Sequence, residues 1–349
     1  MATTTAGPLA APPLLERYRS EIDAELRASV ESREAAFSPQ VRYHMGWVDA
    51  RGAASSRRDG KALRPSLLLL ICEGLGGDRH RALPLAAAVQ LVHDFSLLHD
   101  DIQDGDRERR HRPTVWALWG VPQAINVGDA VFSLAMFALH DALQAGLSPP
   151  HVLEAHSALA RACLEMIEGQ YMDLSFEESE IVSPDDYMDM AERKTGALMG
   201  ASLELGAIAA GADDFRAAAC RTAGRNLGLA FQFRDDYLGI WGRPSETGKE
   251  AGGDILRRKK SLPVVYGLSQ TSPQGAEFRR IYGLSSLSAE DVERARRLLT
   301  ELDASTFTRH LAEERCQAAL SELRSAGLSA WALEEFRLLT DYLVQTQGI

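Results

Sequence analysis

Asp100, Asp101 and Asp104 stand together in the run Leu97-Leu98-His99-Asp100-Asp101-Ile102-Gln103-Asp104, followed closely by Arg107, Arg109 and Arg110. Upstream, from Arg81 to Leu98, apolar residues recur at helical spacing, so Asp100 and Asp104 project from one face of the end of one helix. Like charges at that spacing repel, and the helix C-terminus adds partial negative charge of its own. A cation at this point relieves both costs. Carboxylate oxygens with room for water and phosphate oxygens suit Mg²⁺. Read alone, the same three aspartates also describe a solvated acidic helix end. A second acidic pair, Asp235-Asp236, ends another long apolar helix in Phe231-Gln232-Phe233-Arg234-Asp235-Asp236. Carboxylates on facing bundle helices are a common way to build a metal site.

Cations surround these pairs in the chain. The 349 residues hold 33 arginines but only five lysines: Lys61, Lys194, Lys249, Lys259 and Lys260. A chain that writes nearly every cation as Arg keeps Lys where a compact point charge is wanted in place of a planar fork. Lys61 lies in Gly60-Lys61-Ala62-Leu63-Arg64-Pro65, Lys194 precedes Thr195, and Lys249 and Lys259 follow the second acidic pair. Metal ligands and scattered cations together describe a pocket for polyanions, most plainly two diphosphates.

The elements that must hold these groups are helical. Ala- and Leu-rich helical periodicity dominates and β-branched alternation never lasts more than a few residues, which predicts an all-α bundle. Helices are expected over 14–37, 39–51, 64–75, 81–104, 122–145, 149–176, 184–210, 213–240, 261–268, 289–299, 305–326 and 330–346. No linker splits the patterning, so residues 14–349 read as one domain after a small-residue, proline-bearing tail at 1–13 that carries no secretory signal. No apolar run is long enough to predict a membrane span. A net charge of −11 argues against a nucleic-acid partner. Four scattered cysteines without a metal spacing predict buried thiols of a reducing, cytoplasmic compartment.

Taken in order, GKALRP at 60–65, HDFSLLHDDIQDGDRERRHRPT at 93–114, GDAVF at 128–132, GQYMDL at 169–174, KTG at 194–196, FQFRDD at 231–236, GK at 248–249 and DILRRKKSLP at 254–263 resemble the trans-isoprenyl diphosphate synthase (polyprenyl synthetase) family. The likeness runs from about residue 14 to the end, and the RRHRPT and KKSLP wording is most like that of bacterial geranylgeranyl diphosphate synthases. The resemblance implies a helical isoprenoid-synthase bundle, a homodimer, and a cavity between the helices bearing the acidic motifs. It implies condensation of isopentenyl diphosphate with dimethylallyl, geranyl or farnesyl diphosphate, with geranylgeranyl diphosphate as the main product and farnesyl diphosphate as the alternative. Lys61, Arg64, His93 and Arg110 would hold isopentenyl diphosphate. Asp100, Asp104 and Asp235 would bind Mg²⁺, three ions in all. Arg109, Lys194, Gln232, Lys249 and Lys259 would clamp the allylic diphosphate, with Thr195 near the developing cation. Asp101 and Asp236 would orient waters or neighbouring cations.

Phe95 and Ser96, five and four positions before Asp100, would set the floor for the hydrocarbon tail. Gly239 departs from the pattern, for the family usually has Asp at that fifth place, beside the third metal. Terpene cyclases ionise the same substrates, but their usual Asn/Ser/Glu motif is missing and Lys61, Arg64 and Arg110 would have no task. An inactive modulating subunit would explain Gly239 but not the other intact motifs.

Overall fold

The computed structural model describes residues 12–33, 35–55, 62–179, 182–242 and 252–345. Its elements are α1 (Leu14–Arg17), α2 (Arg19–Glu31), α3 (Ser38–His44), α4 (Leu63–Gly74), α5 (Arg79–Gln103), α6 (Val115–Trp119), α7 (Val121–Asp141), α8 (Pro149–Glu178) and α9 (Pro184–Ala191). After a π-helical turn at Glu192–Gly196 come α10 (Ala197–Ala209), α11 (Asp214–Trp241), α12 (Gly253–Leu256), α13 (Leu262–Ser269), α14 (Pro273–Tyr282), α15 (Ala289–Glu301), α16 (Ala304–Ser325) and α17 (Ala330–Gln345). The all-α expectation holds. Among the described residues the only strands are β1 (Glu108–Arg109) and β2 (Arg112–Pro113), one antiparallel hairpin.

α10 is apolar on every side, and such a helix belongs at the centre of a bundle. It packs against α4, α5, α8 and α11, while α5 packs against α7, α4 and α2. Its one charge, Glu204, is buried and accepts from Arg161 Nη2 at 2.9 Å and Arg221 Nη1 at 3.1 Å. A carboxylate at that depth survives because both guanidinium groups pair it. Leu67, Leu68, Leu69, Leu70 and Ile71 of α4 are each 0% exposed and fill the space between α10 and α5.

Several expected helices differ in extent. The helix expected over 14–37 is α1 and α2, broken at Tyr18, whose hydroxyl donates to Glu73 at 2.6 Å, and α2 ends at Glu31. The helix expected over 184–210 contains the π-helical turn, and α14 was not expected. Its signal was present, for Ser272-Pro273 repeats the cap-and-proline start of α9, and Ser272 accepts from Gly275 N. Of the expected tail, residues 1–11 lie outside the described residues, and Pro12 leads straight into α1 through Leu15 N–H to Pro12 O. α5 and α7 are long and apolar enough to cross a membrane by length and composition, which the sequence reading did not expect. In α5 the most apolar stretch is 67% buried in the bundle, against 39% in α7. Cys72, Cys163, Cys220 and Cys316 are free and buried.

Candidate active site

α5 ends at the site. Asp104 is its C-cap, with its N–H bonded to Asp100 O at 2.8 Å, so the two carboxylates stack one turn apart as their spacing predicts. Burial pushes the Asp100 carboxyl up to about 6; Lys194 and Arg109 pull it down and Asp104 pushes it further up. The folded chain therefore holds a proton on Asp100 more tightly than the unfolded chain does. Its charge costs stability as pH rises from the ordinary carboxylate range through about 6. Asp100→Asn should raise the Tm of the metal-free protein, with a gain over wild type that grows between pH 4 and 6 and then levels off. Equal Tm values across that range by scanning calorimetry would show that the charge is not strained.

The β1–β2 hairpin follows, and its turn residues Arg110 and His111 both have positive φ, 52° and 60°. Two consecutive left-handed residues make a type I′ turn, which usually takes Asn-Gly; the non-glycine pair hid it from sequence reading. Arg109 Nε donates to the buried Asp101 at 2.7 Å, so Asp101 orients a neighbouring cation, as expected. Arg112 donates to Tyr43 O and Val48 O at 3.0 Å, which locks the hairpin against the chain after α3.

The π-helical turn presents Lys194 and Thr195. It sits so close to α8 that a Cβ on Gly169 would come 2.2 Å from Lys194 N. On the α11 side a Cβ on Gly228 would come 2.7 Å from Gly196 Cα. A widened turn of this kind often marks a functional site. Lys194 Nζ pairs with Asp173 of α8, a residue sequence reading left without a task. Thr195 Oγ1 donates to Gln232 Oε1 at 2.7 Å, and Gln232 Nε2 donates to Asp236 Oδ1 at 2.8 Å. Asp236 is buried and also accepts from Tyr187 OH at 2.5 Å and Leu262 N at 2.8 Å. Burial pushes its carboxyl up to about 7, against the pull of those three donors. Asp236 is thus a hub of fixed hydrogen bonds. Its neighbour Asp235 is exposed and turned to the adjoining cavity.

Two cavities meet here. One, of about 520 Å³, is lined by Phe95, Ser96, Asp100, Met166, Ile167, Tyr171, Leu174, Lys194 and Thr195. The other, of about 660 Å³, takes in Arg110, Asp235, His44, Asp94, Arg234 and Trp47. Arg64 and His93 belong to both walls. Arg64 Nε has no hydrogen-bond partner among the described residues. Burial lowers the Arg64 guanidinium to about 10 while Asp235 and Asp94 hold it up. Burial and the adjacent Arg64, Arg110 and Arg109 press His93 well below its ordinary value, which favours the neutral imidazole. Lys259 loses by burial but gains more from Asp254, Asp173, Asp236 and Asp104, whose field holds its ammonium above the ordinary value. It therefore belongs to the same cluster as the first acidic motif. Lys61 and Lys249 lie outside the described residues.

Among the described residues, no three acidic, histidine or cysteine side chains converge closely enough to cage a metal by themselves. The donor set nevertheless fits Mg²⁺. Asp100 and Asp104 strain against each other at a helix C-terminus, and Mg²⁺ characteristically takes one or two carboxylates plus waters and substrate phosphates. At Gly239 the structure supplies what the sequence lacks. An ideal Cβ there would stand 2.1 Å from Asp254 Oδ2, so the place of the missing side chain is filled by another carboxylate. Gly239→Asp should therefore displace Asp254 and raise the Mg²⁺ concentration needed for half-maximal rate, the opposite of what the sequence alone leads one to expect. A lower requirement in a Mg²⁺ titration would show that Asp254 and the introduced carboxylate coexist.

The polyprenyl synthetase family model matches residues 47–299. A geranylgeranyl diphosphate synthase of Mycobacterium tuberculosis is 41% identical over 315 residues, covering 90% of this chain and 89% of that protein. A (2E,6E)-farnesyl diphosphate synthase of Mycobacterium bovis is 45% identical over 263 residues, 75% of this chain and 72% of that one. The crystal structure of a polyprenyl synthetase from Streptomyces coelicolor superposes with a TM-score of 0.88 at 38% identity, covering 95% of this chain and 99% of that one. The matched span, the helical bundle and the paired cavities agree: this chain belongs to the polyprenyl synthetase family, and its reaction is chain-elongating prenyl transfer.

Proposed function

We propose that the enzyme condenses isopentenyl diphosphate with an allylic diphosphate, and that geranylgeranyl diphosphate is its main product. The observation that carries this reading is the meeting of two cavities at Arg64 and His93. One gathers Arg19, Arg64, Arg110 and Arg234, which suits isopentenyl diphosphate, and has Asp235 on its wall. The other has Asp100 and Lys194 among its lining and apolar walls beyond, which suits an allylic diphosphate with its tail inward. A cyclase needs only the second.

In this reading Arg64, Arg110 and His93, with Lys61, hold the isopentenyl diphosphate. Arg109, Lys194 and Lys259, with Lys249, clamp the allylic diphosphate, and Asp100, Asp104 and Asp235 are the carboxylates that would hold Mg²⁺, three ions in all. Bound Mg²⁺ supplies Lewis-acid stabilisation of the departing diphosphate. The allylic C–O bond breaks and its electron pair leaves with the diphosphate. The double bond of isopentenyl diphosphate then attacks the allylic cation, and a proton passes from the new cation to the departed diphosphate. Lys194, held by Asp173, and Arg109, held by Asp101, meet the growing negative charge without reorganising. Gln232 fits a clamp less well than its sequence position implied, because its oxygen is taken up by Thr195 and its nitrogen by Asp236. Thr195 faces the cavity and offers its oxygen to the cation. Met166, Ile167 and Leu174 keep water from the cation.

Turnover of the purified chain with isopentenyl and farnesyl diphosphates, with mass spectrometry of products, tests this. A C20 diphosphate supports it, whereas a cyclic hydrocarbon or no product overturns it.

The exposed apolar side chains Leu118, Val121, Ile125 and Phe137 around α7, and Leu153 and Leu164 along α8, support a homodimer through these helices. Phe137→Glu with Leu153→Glu should shift the sedimentation coefficient to that of a monomer. The four buried free thiols fit a cytoplasmic enzyme.

A further inference from the structure

Tyr187 lies outside both cavities, 1% exposed in α9, and no step above uses it. Its hydroxyl is nevertheless tied to the reacting face through three hydrogen bonds in series: Tyr187 OH to Asp236 Oδ2 at 2.5 Å, Gln232 Nε2 to Asp236 Oδ1 at 2.8 Å, and Thr195 Oγ1 to Gln232 Oε1 at 2.7 Å. Each link has a fixed direction. In its ionised form, which all three donors favour, the Asp236 carboxylate accepts only, so the amide turns its NH₂ to Asp236 and its oxygen to Thr195. The Thr195 hydroxyl has one proton, and that proton is spent on Gln232. Its lone pairs are left for the cavity that Thr195 lines.

We propose that Tyr187 is a positioning residue for the reaction: with Leu262 N–H it fixes the Asp236 carboxylate, and through Gln232 it holds the Thr195 oxygen with its lone pairs toward the allylic cation. Asp236 Oδ2 takes both fixed donors, Tyr187 OH and Leu262 N at 2.8 Å. With one oxygen held from two directions, the carboxylate plane cannot turn, and Oδ1 stays opposite Gln232. The Leu262 contact also joins the relay to the segment carrying Lys259, three residues earlier in the chain. Without the phenol, the carboxylate is held by one backbone donor, the amide can invert, and the hydroxyl can present its proton to a cation. An inverted dipole opposes ionisation but leaves the diphosphate clamps in place, so the effect belongs in kcat. The proposal rests on the reading of Thr195 given above.

Tyr187→Phe removes one oxygen and keeps the ring that packs 6.4 Å from Phe233. It should lower kcat about tenfold, less than the hundredfold or more typical of losing a dipole that touches the reacting charge. KM for both substrates, the affinity for Mg²⁺ with inorganic diphosphate, and Tm should stay near wild type. The deciding comparison is a double-mutant cycle with Thr195→Val. Tyr187→Phe should cost nothing further in the Thr195→Val background and should keep its full cost in Thr195→Ser, which retains a hydroxyl. Wild-type kcat for Tyr187→Phe, or losses that multiply with Thr195→Val, overturns the relay while leaving the proposed reaction intact. Wild-type kcat for Thr195→Val overturns the reading of Thr195 itself, and the relay with it. If Tyr187→Phe does not fold, Asp236→Asn takes its place in the cycle with the same expected non-additivity.

Discussion

Asp100→Ala and Asp104→Ala should each lower kcat by about a thousandfold or more while leaving the circular dichroism spectrum unchanged. At about 4 Å and an effective dielectric near 20, one unit charge pair is worth roughly 4 kcal/mol. If that interaction forms fully only as the diphosphate departs, it corresponds to about three powers of ten in rate. Both aspartates lie on the last turn and cap of α5, and neither holds the fold together. Asp100 is burdened by burial and by Asp104, so removing either charge relieves the metal-free protein while it disables the site. The expected signature is therefore opposite in sign for the two measurements: activity collapses and Tm does not fall. An alanine variant that keeps turnover within tenfold of wild type would remove that aspartate from the metal-binding set. One that loses activity along with its helical signal would instead assign it to the fold.

The first acidic motif was legible because everything it needs is local. Asp100 and Asp104 share a helix, and i, i+4 spacing fixes their relation before any tertiary contact forms. The bundle was legible for the same reason, since helical periodicity is a property of each segment. What the sequence concealed depends on approach between segments. Asp173 holds Lys194 across the narrow gap left by Gly169, and no spacing within α8 announces that partnership. Asp254 occupies the place of a side chain at Gly239 fifteen residues away. Gly239 thus read as a lost ligand because the carboxylate that covers it lies beyond the second motif. The π-helical turn was missed because it inserts a single wider turn into an otherwise regular pattern, and Glu192–Gly196 alone carries no apolar period to betray it. Tyr187 was missed for a related reason. On its own helix it is a buried aromatic beside Met190, and only the packing of α9 against the end of α11 and the start of α13 gives its hydroxyl a partner.

Phe95→Ala should carry products beyond C20, and Ser96→Phe should draw them back toward C15. The relatives leave the wild-type length open between these limits, since one at 41% identity is named for a C20 product and one at 45% for a C15 product. The decision falls to the volume available below the first acidic motif. Phe95 lies five residues before Asp100, about 7.5 Å back along the helix at about 1.5 Å per residue. Its ring lines the tail cavity and is wedged edge-on against His99 at 5.1 Å and tilted against Phe132 of α7 at 5.2 Å. A growing tail that reaches this ring must displace two aromatic neighbours with it, and overpacking of that kind costs about 1–3 kcal/mol. That is enough to stop elongation, because dissociation competes with each further addition. Removing the ring opens a gap whose next wall is Phe132, so the extension should be limited to one or two isoprene units. Truncating a buried Phe typically costs about 3–5 kcal/mol of stability, and Phe95→Ala should regain part of it when a long tail fills the space, visible as a larger rise in Tm with geranylgeranyl diphosphate than wild type shows. Ser96 stands one position nearer the motif, half-buried, with its hydroxyl donating to His93 O at 2.8 Å. A phenyl ring there would raise the floor by about one residue of helix rise, roughly 1.5 Å, and intrude on the cavity sideways. Product distributions unchanged in both variants would place the floor elsewhere and leave Phe95 as core packing between α5 and α7.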